Sequence, residues 1–175
     1  MAVYRAGRKA IRDIFWRKAP IDFWGILWSV HRNAEGTMIK MNTEQLQAFL
    51  IEVFPQVHED FLIMDVTPEV LRVKLLVGER HLRPGGTISG PSMFTLADVG
   101  MYLAVLSRIG PEALTVTTNC SIDFMRKPAA GVDMICETRI HKMGRVLAVG
   151  DCLLYSEGMD AVVARASLTY SIPPK

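Results

Sequence analysis

Cysteine is scarce in this chain: Cys120, Cys136 and Cys152 are the three thiols among 175 residues. The count is odd, the intervals are sixteen residues and no CxxC pair occurs, which excludes a disulfide framework and a cysteine-based zinc site. Free thiols behaving as small apolar side chains in a reducing compartment are expected, and with them a cytoplasmic location. Histidine is equally thin. His31, His58, His81 and His141 are scattered, with no HxxxH or HExxH pair to set two imidazoles on one helical face, so no metal site is expected.

A positive net charge is missing from most of the chain. Residues 1–37 hold seven Arg or Lys against three acids, so of the formal net charge of +2 the remaining residues carry −2. A slightly acidic body lacks the basic stripe that neutralises phosphates, which argues against nucleic acid as a partner. The apolar run Ile21 to Val30 includes Asp22 and is too short to span a bilayer. No small-residue cleavage site follows it, since His31 and Arg32 come next. No internal repeat or low-complexity tract is present either.

What remains fits one globular domain: 50% of residues are hydrophobic and 22% charged. Residues 1–37, basic and holding Trp16, Trp24 and Trp28, are expected to be an extension outside the core, with Met38 or Met41 as candidate starts. Residues 38–175 are expected to form the single domain.

From Asn42 the pattern is regular. Asn42 and Gln45 suit a capping box, and Leu46, Phe49, Leu50 and Val53 recur at helical spacing up to Pro55. Phe61–Val66 and Val70–Val77 read as a hairpin around Thr67-Pro68-Glu69. The stretch His81 to Gly110 is a Gly- and Pro-rich loop running into an apolar helix, with Pro91 at a first helical position and Gly110-Pro111 as its stop. Between Arg83 and Arg108 the sole charge is Asp98. An unpaired buried carboxylate is costly, so this side chain either has a task or a partner. The helix is apolar nearly all round and is expected to be enclosed.

The rest alternates with a period of two and predicts four strands in meander. In the first, Thr115, Thr117, Asn119, Ser121 and Asp123 share one polar face, while Leu114, Val116, Thr118, Cys120, Ile122 and Phe124 share the other. Later strands cover Val132–His141, Arg145–Ser156 after a Met143-Gly144 turn, and a closing run through Val162, Ala164, Ala166, Leu168 and Tyr170. The fold class is therefore α+β: a long central helix wrapped by a curved antiparallel sheet of about six strands.

The ordered set Ser89-Gly90-Pro91, Thr95-Leu96-Ala97-Asp98, the Thr-rich strand, Asp123-Phe124-Met125-Arg126-Lys127-Pro128, Gly144-Arg145 and Val163-Ala164-Arg165-Ala166 resembles the PaaI-type hotdog-fold acyl-CoA thioesterases over about residues 58–172. The resemblance implies hydrolysis of an acyl-CoA to acid and CoA by a homodimer or dimer of dimers, with no cofactor beyond the CoA of the substrate. It places Asp98 as general base or nucleophile and the Gly90 backbone N–H on the thioester oxygen. Thr117 falls where the family carries a hydroxyl residue from the partner subunit. Arg83, Ser89, Ser92, Thr118 and Asn119 become candidate substrate contacts, and Arg126, Lys127, Lys142 and Arg145 a candidate clamp for CoA phosphates.

Two departures stand out. Many family members carry His-Gly-Gly where this chain has Ser89-Gly90-Pro91, and Asn where it has Arg83. Pro91 offers no N–H. A non-catalytic module that binds an acyl thioester or drives oligomerisation is the alternative to the enzyme.

Overall fold

The computed structural model describes residues 38–174. The expectations for residues 1–37, including Trp16, Trp24, Trp28 and His31, lie outside the described residues.

Helix α1 spans Thr43–Val53. Asn42 Oδ1 accepts from the Gln45 N–H at 2.9 Å while Gln45 Oε1 accepts from the Asn42 N–H at 3.0 Å, so two otherwise orphaned donors are satisfied reciprocally. Leu46 and Leu50 are fully buried and hold α1 to the core. Strands β1 (Phe61–Val66) and β2 (Leu71–Leu75) form the expected hairpin. A two-stranded ribbon follows, β3 (Leu82–Arg83) with β4 (Thr87–Ile88), which periodicity over such short runs does not reveal. Then come α2 (Gly90–Ile109), β5 (Val116–Phe124), β6 (Met134–Met143), β7 (Leu147–Ser156) and β8 (Val162–Ser171).

The large sheet has the order β1-β2-β6-β7-β8-β5 and is antiparallel throughout. The expectation of a four-strand meander is corrected here. Only β6, β7 and β8 meander, and β5 crosses to pair with β8 at the sheet edge. The β6–β7 turn also runs later than expected, with β7 beginning at Leu147 rather than Arg145.

Helix α2 lies across the sheet against β2 and β5 to β8. It is long and apolar enough by length to cross a membrane, yet 67% of its apolar window is buried inside the protein, as a core helix would be. Its approach is close at Gly100, where a Cβ would stand 2.9 Å from both Cys136 Sγ and Thr138 Oγ1. Enclosure is incomplete, which corrects the reading of α2 as buried all round: Pro91, Phe94 and Thr95 are exposed along one face.

Candidate active site

Asp98 stands midway along α2, half-buried. Its Oδ1 accepts from Thr117 Oγ1 at 2.5 Å and from the Tyr170 hydroxyl at 2.6 Å, and the same hydroxyl lies 2.8 Å from the Asp98 carbonyl oxygen. Thr117 and Tyr170 are directly opposed across β5 and β8. Burial, then the Asp98 charge, then its hydrogen bond push the Tyr170 phenol far above the ordinary tyrosine range. It therefore stays protonated, a donor, through neutral pH.

Thr117 reaches Asp98 because β5 breaks its own alternation. The pairing with β8 shifts between Thr117 and Asn119, a bulge that leaves Thr118 without a partner. Before the bulge Thr115 and Thr117 turn inward; after it Cys120 and Ile122 do. Assigning Thr117 and Asn119 to one polar face is thereby corrected, since Thr117 faces the helix and Asn119 is exposed. Thr117 makes this contact with Asp98 of its own chain, where the resemblance implies a hydroxyl from a partner. Burial first, and then the Asp98 charge, raise the Cys120 thiol above its usual range, which places this side chain within the field of the carboxylate.

A cavity of about 420 Å³ opens beside Asp98, Thr117 and Tyr170, walled by Val53, Phe54, Val99, Tyr102 and Val116. Tyr102 donates its hydroxyl to the Ala113 carbonyl at 3.2 Å and packs 6.4 Å, centroid to centroid, from the Tyr170 ring. Polar and apolar groups share the lining, an arrangement that can hold an acyl group against Asp98.

The start of α2 is tied down separately. Ser89 caps it, Ser92 Oγ donates to the His81 carbonyl at 3.0 Å, and the Ser89 N–H donates to that same carbonyl at 2.8 Å. The His81 ring accepts from the Gly78 N–H at 2.9 Å and faces Asp60 at 3.4 Å. The Ser89 and Ser92 hydroxyls hold each other at 2.8 Å and brace the helix start. Gly90 opens the helix, where first-turn N–H groups have no intrahelical acceptor. Asp98 lies eight residues further along, a rise of ~12 Å.

The remaining candidates do not gather at Asp98. Arg83 Nε donates to Thr87 Oγ1 at 2.8 Å across the β3–β4 ribbon and is exposed. Thr118 Oγ1 donates outside the site to the Thr169 carbonyl at 3.1 Å. Arg126, which donates to the Val162 carbonyl at 2.8 Å, and Lys127 follow the end of β5. Lys142 and Arg145 flank the β6–β7 turn beside the start of β5, because Ser171 pairs with both Val116 and Leu147. The length of β5, ~27 Å at ~3.3 Å per residue, separates the two pairs, so one chain does not form the four-cation clamp. Tyr170 was absent from the sequence candidates. Its signal is a hydroxyl on the apolar face of the last strand, which must find a partner when buried.

Comparison with known proteins agrees with this fold. A family model described as the thioesterase superfamily matches residues 85–169. A Pseudomonas aeruginosa protein provisionally described as an esterase is 35% identical over 104 residues, covering 59% of this chain and 75% of that one. A solved structure from a Silicibacter species, provisionally described as a thioesterase, shares 55% identity with a TM-score of 0.75 and covers 80% of this chain and 97% of its own. The phenylacetic acid degradation protein PaaI of Thermus thermophilus, solved as a point mutant, is similar at 26% identity and a TM-score of 0.59, over 68% of this chain and 99% of that one.

Proposed function

The chain belongs to the thioesterase superfamily, as a PaaI-like thioester hydrolase with the hotdog fold, and we propose that it hydrolyses an acyl-CoA with Asp98 as the reactive carboxylate. The observation that carries this reading is the Asp98 carboxylate held by two hydroxyl donors and lining a cavity with both polar and apolar walls. As general base, Asp98 takes a proton from water as its oxygen attacks the thioester carbon, and returns it to the departing CoA thiolate. As nucleophile, it forms an anhydride and expels CoA, after which water releases the acid. In both routes negative charge collects on the former carbonyl oxygen, and the Gly90 N–H at the positive end of α2 is the donor for it.

The ~12 Å between Gly90 and Asp98 keeps them from serving one carbonyl within a single chain. A second copy laid antiparallel along α2 would bring the Gly90 of one chain to the Asp98 of the other. Phe94, Val116 and Phe124, at 40, 53 and 51% exposure, give α2 and the β5 edge an apolar surface for such a homodimer. No cofactor is required beyond the CoA of the substrate. Three free thiols, Cys120, Cys136 and Cys152, support a cytoplasmic setting.

The test is release of CoA thiol from a panel of acyl-CoAs of graded chain length. Asp98→Asn is expected to lower kcat/KM at least ~1,000-fold while the melting profile is kept. Wild-type rates in that variant would remove Asp98 from the chemistry. Hydrolysis of no member by the native protein would leave a binding module.

A further inference from the structure

We infer that Tyr170 is a positioning residue of the hydrolytic site: with Thr117 it clamps Asp98 through Oδ1 and leaves Oδ2 as the oxygen that meets water or the thioester. This rests on Asp98 being the reactive carboxylate. The two oxygens of a free carboxylate are equivalent and exchange by rotation about a soft, two-fold torsion. Here they are made different. Both donors converge on Oδ1, at 2.5 and 2.6 Å, and among the described residues no hydrogen bond or ion pair engages Oδ2.

The clamp is built by the sheet. Thr117 and Tyr170 are partners in the β5–β8 register, and opposed side chains on one face of an antiparallel pair have their Cβ atoms ~5 Å apart. One short and one long hydroxyl side chain therefore close on the same oxygen. Tyr170 is 2% exposed and also reaches the Asp98 backbone carbonyl at 2.8 Å, so it gauges the helix backbone and the carboxylate together. A buried hydroxyl held to both sets where the carboxylate points, which a water molecule in that place would not do.

The donors of the clamp keep their protons. The titratable groups facing the site are Tyr102 from α2, Cys120 from β5 and Tyr170 from β8, with Cys152 on β7 behind Tyr170. Burial is the first cause raising Tyr102, Cys120 and Tyr170, and Cys152 is raised chiefly by its bond to Cys136. The Tyr170 hydroxyl is therefore a donor to Oδ1 and not a second negative charge beside it.

The experiment is kcat and KM measured separately for native enzyme, Tyr170→Phe and Thr117→Val on an acyl-CoA the native enzyme hydrolyses, with a melting curve for each. For Tyr170→Phe, kcat is expected to fall ~10- to 100-fold with KM within ~3-fold. Thr117→Val is expected to split kcat from KM the same way, and decides the matter should Tyr170→Phe fail to fold. Native kcat in a folded variant, or kcat lost only in proportion to the folded fraction, overturns the inference. Asp98→Asn separates the two levels: if it stays active the assignment of Asp98 fails, whereas an inactive Asp98→Asn beside a native-like Tyr170→Phe sinks the clamp alone.

Discussion

Gly90 is not among the glycines with positive φ, which are Gly85, Gly86, Gly110, Gly131 and Gly158. A Cβ there would meet only the ring end of exposed Phe124, at 3.4 Å. Two reasons for having no side chain remain: helical geometry directly before Pro91, which a Cβ resists, and close approach by a ligand to the backbone N–H. Ser89 is already extended, at φ −78° and ψ 155°, the geometry a following proline demands, and a first helical position accepts proline. Gly90→Pro therefore deletes the N–H, at the cost of a second proline in helical geometry before Pro91. A melting temperature several degrees below native is expected, with kcat/KM of the folded protein down ~100- to 1,000-fold; steady-state kinetics beside calorimetry would check it. Asp98 was legible in the sequence because it is the sole charge in a long apolar stretch, and Gly90 through its place in a resemblance. Tyr170 was not, because a tyrosine on an apolar strand face looks like core until its partner is known.

At the scale of elements, both helices and all six strands of the large sheet follow from periodicity and caps, but the pairing of β5 with β8 does not. The bulge in β5 was hidden for a particular reason. Thr115, Thr117, Thr118 and Asn119 are all small and polar, so the alternation reads equally well in either phase. Where α2 crosses β6 the fit is steric. Gly100 faces Cys136 Sγ and Thr138 Oγ1, each of which would stand 2.9 Å from an added Cβ, and both residues are buried. Gly100→Ala gains helix propensity of ~1 kcal/mol, yet overpacking of this kind costs ~1–3 kcal/mol and more where neighbours cannot yield. A net loss of about 1–2 kcal/mol is expected from urea unfolding. Adding Cys136→Ala removes the obstructing sulfur, so the double variant should be more stable than the two single changes predict by addition. Strict additivity would show that α2 does not press on β6 at this point.

The proposed mechanism asks how two groups ~12 Å apart on one helix could act on a single carbonyl. A homodimer would answer it by exchange, each site taking Asp98 from one copy and the Gly90 N–H from the other. This has a consequence that no property of a single chain can mimic. Asp98→Asn and Gly90→Pro are each inactive as pure dimers, because every site carries one lesion. In a mixed dimer the lesions segregate: one site receives both, and the other receives neither. Random reassociation makes half the dimers mixed, with one intact site in two, so an equimolar mixture should recover about a quarter of the native rate after dissociation and reassembly. Were both groups drawn from the same chain, each site of a mixed dimer would still hold one lesion, and mixing would restore nothing. Recovery measured after brief exposure to denaturant and dilution, against each variant treated alone, separates these outcomes. Sedimentation of the same samples at twice the 19.5 kDa chain mass confirms that dimers were the species assayed.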